Sequence, residues 1–89
     1  MQSELLAMKN LGNTSINWLR AIGVNNYDDL KSLGSVDAYV KIKHRGIRVS
    51  KVLLYALEGA LLDVHWNELS ADTKQQLLNQ AAAREKAQD

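Results

Sequence analysis

The sequence predicts an all-α domain, a compact bundle of five or six short helices around one central apolar helix. Three observations carry that prediction. From Val52 to Leu62 only Glu58 is charged, and apolar residues occur on every side of the helical wheel, the pattern of a helix enclosed by others. That run is too short and too interrupted to cross a membrane, which takes ~20 residues. The chain of 89 residues has no Pro and few β-branched runs, while Leu, Ala, Lys and Gln abound, a composition that favours helix over strand. Finally, Gly12, Gly23, Gly34 and Gly46 cut the first half into short segments, each followed by residues of the capping type.

Taken in order, Glu4–Asn10 reads as a short amphipathic helix that ends near Gly12, with Gly12 taking the positive φ common after a helix. Asn13, Thr14 or Ser15 caps a second helix whose Ile16, Leu19 and Ile22 share one face, with Asn17 and Arg20 outward. Asn26 is the expected cap of a third, favoured by Asp28 and Asp29 in its positive first turn, with Tyr27, Leu30 and Leu33 inward. Ser35 is the expected cap of a fourth, with a stripe of Val36, Tyr39, Val40 and Lys43 and a close at His44-Arg45-Gly46. Ser50 then caps the apolar helix. Gly59 inside it costs about 1 kcal/mol of helix propensity relative to Ala, which implies close approach of a neighbouring helix. Ser70 caps the last helix, whose Leu69, Thr73, Leu77 and Ala81 form one apolar side. Residues 84–89 have nothing to bury, so the domain is expected to span 1–83 with a frayed tail.

Composition narrows the function classes. Cys is absent, which excludes disulfides and thiolate metal sites and suits a cytoplasmic protein. Met1-Gln2-Ser3-Glu4 has no basic lead and the apolar run after it is short, so no secretion signal is expected. A net charge of +1 argues against a strongly basic nucleic-acid binder. No catalytic constellation, phosphate-binding Gly loop or closed metal ligand set is visible. His65, Glu68 and Asp63 lie near one another in sequence, but one His with scattered carboxylates does not close a ligand set. The expectation is a non-enzymatic domain with no cofactor.

Two segments carry a resemblance. Leu11–Val24 followed by Tyr27-Asp28-Asp29-Leu30 looks like a helix-hairpin-helix unit: a Gly-bearing hairpin, an apolar helix, a Gly-Val stop and an Asp-Leu helix. Leu53–Leu61 with His65-Trp66, together with Leu33–Tyr39, resembles the C-terminal domain of the TfoX/Sxy family of bacterial competence regulators, in order from about Leu11 to Leu78. The resemblance implies a small all-α fold with a helix-hairpin-helix-like (SAM-like) half. It also implies a role in regulating DNA-uptake genes, with the transcription machinery and the cAMP receptor protein as partners. Regulators of this type usually also carry an N-terminal α/β domain, so the chain is expected to be an excised C-terminal domain or a stand-alone homologue. No functional residue is transferred from the family.

The candidate sites come from the residues themselves. In the hairpin, Lys9, Gly12, Asn13 and Thr14 offer a DNA phosphate the N–H groups of a helix N-terminus and one cation. DNA-binding hairpins read Gly-apolar-Gly, however, and here the first position is Asn10; the alternative is a connector that packs two helices. Lys41, Lys43, Arg45, Arg48 and Lys51 form the one strong charge asymmetry, with no acid between Asp37 and Glu58. This patch suits weak, salt-sensitive DNA binding, an acidic protein partner, or simply a solvated helix end. Trp18 lies off the Ile16/Leu19 stripe, at the core margin or on a partner surface. Three functions follow: regulation through protein contact, direct sequence-independent DNA binding, or dimerisation.

Overall fold

Capping and apolar spacing divide the chain much as the sequence indicates. The computed structural model describes residues 4–87. A 3-10 turn at Glu4–Ala7 leads into α1 (Asn13–Ala21), α2 (Tyr27–Leu33), α3 (Ser35–His44) and α4 (Lys51–Leu62). A second 3-10 turn, Trp66–Glu68, precedes α5 (Ala71–Ala87). Among the described residues there is no strand. The radius of gyration, 12.1 Å, matches the ~12 Å expected of one compact body of this length.

The centre is a pair of helices rather than one. α4 buries Leu53 through Leu57, Gly59 and Ala60, and packs on α2, α3, α5 and the Trp66–Glu68 turn. Yet α3 touches α1, α2, α4 and α5, and its Ala38, Val40 and Ile42 are fully enclosed. Sequence periodicity gave α3 a single stripe because charged residues interrupt it; the structure buries it on more than one side by placing those charges at its C-terminal end. Conversely Val52 and Leu62, expected inside, are 39% and 55% exposed, at the two ends of α4.

Glu58, the one acidic residue of the core helix, accepts a hydrogen bond of 2.8 Å from Ser35 Oγ. Ser35 is the first residue of α3, so the carboxylate sits at the positive end of that helix. This overturns the expectation that Ser35 is a cap. Gly34 takes that position, and with φ 90° it also closes α2, its N–H donating to Leu30 C=O at 2.7 Å. Asn26 and Ser70 do cap their helices, accepting from Asp29 N–H at 2.8 Å and Thr73 N–H at 3.1 Å. Ser50 holds the cap position of α4, but its hydroxyl makes no capping bond. α5 runs through Ala87, past the Ala83 boundary, with Arg84 and Glu85 paired to α3. That contact gives the segment after Ala83 electrostatic partners in place of the apolar ones it lacks.

The hairpin differs most from expectation. Gly12 is extended (φ −107°) and occupies the N-cap of α1, so none of Asn13, Thr14 and Ser15 caps it. Asn10 takes the left-handed conformation, φ 71°, which Asn tolerates better than other side chains. Its amide donates to Val64 C=O at 3.0 Å, and its oxygen accepts the Trp66 backbone N–H at 3.1 Å. Gly59 makes room for it: a Cβ there would lie 2.6 Å from Asn10 Nδ2 and 2.8 Å from Val64 O. The close approach to Gly59 therefore comes from a side chain and a turn, not from a neighbouring helix.

Candidate partner-binding surface

The predicted site residues lie in several separate places. Lys9 sits at the C-terminal end of α4, its Nζ donating to the Asp63 carbonyl at 3.1 Å and standing 3.9 Å from the Asp63 carboxylate. Cations are favoured at that end of a helix. Gly12, Asn13 and Thr14 are exposed at the start of α1, which has no side-chain cap. Trp18 is half-buried and packs against the core. The five cations of the basic run differ in their surroundings.

Lys43 turns toward α5. Its ammonium lies 2.8 Å from Glu85 Oε1 and 5.8 Å from the centre of the Tyr39 ring. The hydrogen bond to Glu85 lifts the Lys43 pKa above the ordinary lysine value, with partial desolvation opposing it and the Tyr39 and Glu85 charges adding to it. Arg48 and Lys51 are exposed beyond Gly46, in the loop and on the first residue of α4. Lys41, in the last turn of α3, and Arg45, the C-cap four residues on and so on a common face, border a cleft.

That cleft, about 430 Å³, lies between the end of α1 and the C-terminal half of α3 and is lined by Ala21, Ile22, Lys41, His44 and Arg45. A neighbouring cleft of about 410 Å³ shares Ile22 and Lys41 with it and adds Gly23, Val24, Asp29, Ser32 and Leu33. Neither Lys41 nor Arg45 forms an ion pair among the described residues. By contrast, Lys9, Lys43 and Arg84 each face an acid, Arg84 standing 3.3 Å from Asp37. The sequence marked Lys41 and Arg45 but not Ala21 or Ile22, which lie far from them in the chain. The i, i+4 spacing of the two cations was the only available signal of a shared face.

The other polar and aromatic groups serve the fold. His65 and Glu68 form a capping box, with His65 N–H donating to Glu68 Oε2 at 2.9 Å. Trp66 and Tyr55 stack with ring centres 6.2 Å apart, and Lys74 lies 5.3 and 5.5 Å from the two rings. Among the described residues, no group of three or more His, Cys, Asp and Glu side chains gathers to hold a metal ion. No helix there is long and apolar enough to cross a membrane.

The fold and this surface define a small all-helical module with an open, basic-rimmed cleft. The family model of the TfoX C-terminal domain matches residues 1–81, and the chain belongs to that family. It is 34% identical over 78 residues to the DNA transformation protein TfoX1 of Aliivibrio fischeri, a match covering 86% of this chain and 37% of that protein. The chain thus spans little more than a third of that relative's length. Among solved structures it is similar to an uncharacterized protein from Listeria monocytogenes in a triclinic crystal form, with a TM-score of 0.82, 30% identity, and coverage of 91% of this chain and 92% of that one. A protein of unknown function from the same organism, in a tetragonal form, gives a TM-score of 0.78 at 29% identity, covering 85% of this chain and 94% of that one.

Proposed function

We propose that this chain is a non-enzymatic regulatory module of a DNA-uptake system and that it acts by contacting another protein. The observation that carries the reading is the 34% identity to a DNA transformation protein across 86% of the chain. The transcription machinery, and the cAMP receptor protein in particular, is the partner class that the family resemblance suggests. Protein contact is favoured over direct DNA contact by the way the cations are distributed. Lys9 is held against the end of α4 and Lys43 against α5, which withdraws two cations from any track of the kind a phosphate backbone requires. The test is deletion of the gene, with uptake of marked DNA and transcription of uptake genes as readouts. Loss of both, restored by the wild-type chain, is the expected result. Unchanged uptake overturns the reading.

A further inference from the structure

The geometry points to the cleft between the end of α1 and the C-terminal half of α3 as the docking site for an acidic, apolar-anchored segment of a partner protein. The inference rests on the protein-contact reading and gives that contact a place and a chemistry. The floor is Ala21 and the half-buried Ile22, and the rim is Lys41, His44 and Arg45. Helix ends favour cations without any ligand, but that does not account for the open apolar floor between two cations that form no ion pair among the described residues. Through Ile22 and Lys41 the surface runs on into the second cleft, where the half-buried Leu33 extends the apolar strip and Asp29 stands on its border.

This mixture selects among occupants. A nucleic-acid backbone carries a dense, regular line of phosphates, and here it would meet two permanent cations, an apolar floor and the Asp29 carboxylate. A protein segment needs fewer charges and uses the floor. One apolar side chain seats on Ile22, and Asp or Glu residues beside it face Lys41 and Arg45. An apolar centre with a charged rim is the usual anatomy of a protein contact, and the complementary charge sets its orientation.

The test follows amide NMR shifts of the isotope-labelled full chain during titration with a short helical peptide that carries leucines one turn apart between glutamates. A short DNA duplex is titrated in parallel at low and moderate salt. The expected shifts centre on Ala21, Ile22, Lys41, His44 and Arg45. The Lys41→Glu/Arg45→Glu variant weakens peptide binding by about tenfold or more, and Ile22→Ala weakens it without a change of charge. The Arg48→Glu/Lys51→Glu variant has the same net charge as the first and retains binding within about twofold if the cleft is specific. Shifts elsewhere, equal loss in the two charge variants, or duplex DNA taking the cleft at moderate salt in preference to the peptide each overturn the proposal. In cells, full DNA uptake by the Lys41→Glu/Arg45→Glu chain overturns the cleft as the working contact and leaves the regulatory role intact. An effectless gene deletion removes the regulatory role but leaves peptide binding in place.

Discussion

The C-terminal ends of α3 and α4 are built on opposite plans. At the end of α4 the polar groups find partners inside the domain: Asn10 bridges Val64 and Trp66, Lys9 meets Asp63, and Trp66 stacks on Tyr55. At the end of α3, Lys41 and Arg45 stand beside Ile22 and form no ion pair among the described residues. Both ends carry cations where the helix dipole favours them, so the dipole alone does not distinguish the two. The difference lies in what covers them. One end is closed by its own chain and should register in stability; the other is open and should register in binding.

The largest effect expected at the closed end follows from Asn10→Ala. The change leaves Val64 C=O and Trp66 N–H without their partner and puts Ala in a left-handed conformation. Two half-buried groups left unsatisfied, with that backbone strain, amount to about 2–4 kcal/mol. For a domain of this size that lowers Tm by roughly 10–20 °C. A thermal melt within a few degrees of wild type would show that the bridge is decorative. Gly59→Ala comes next. It gains about 1 kcal/mol of helix propensity, but its Cβ must lie 2.8 Å from the Val64 carbonyl and 2.6 Å from Asn10 Nδ2. Overpacking wins, with a net loss of about 1–2 kcal/mol. Because Asn10 supplies one of the two clashes, the double variant should be less destabilised than the sum of the two singles; strict additivity in denaturant titrations would separate the two sites.

These two residues also show where sequence reading reaches its limit. Asn26 and Ser70 were legible as caps because a cap and the N–H it serves lie three residues apart in one segment. Leu77 and Ala81 were legible because burial on a surface helix repeats with the helical period. Asn10 was visible only as a departure from the hairpin pattern, since its reason lies 54 residues away at Val64. Ser35 was misplaced for the same cause: its hydroxyl serves Glu58, 23 residues further on, rather than its own helix. A linear count of the basic run carries no helix phase, which sends Lys43 to Glu85 of α5 and leaves Lys41 and Arg45 at the cleft. Ile22 entered that cleft only when α1 and α3 were brought together.

At the open end the prediction is a small change in stability. Lys41→Glu/Arg45→Glu alters two exposed side chains that form no ion pair among the described residues. The helix end loses its favourable cations and gains two acids, for about 1 kcal/mol or less by denaturant titration. A loss as large as that of Asn10→Ala would mean that these cations hold the fold, and the contrast between the two helix ends would collapse.

The smallest effect is expected at Lys43, which sharpens the comparison because it belongs to the basic run yet is closed off like the end of α4. The Lys43–Glu85 pair is partly exposed, with side chains 48% and 31% accessible, so Lys43→Met should cost at most about 1 kcal/mol. Its pH dependence has a definite sign. Folding raises the Lys43 pKa above its ordinary value of 10.5, chiefly through the Glu85 hydrogen bond. The pair's contribution is therefore complete below that value and falls as pH climbs through the raised folded one. Wild type and Lys43→Met should differ by a constant amount near neutrality and converge only in strong alkali. Salt should narrow the gap at neutral pH, since a half-exposed pair is screened. A gap that opened rather than closed above pH 10.5 would mean that Lys43 is destabilised by its neighbours, and that the run's third cation is as free for a partner as Lys41 and Arg45.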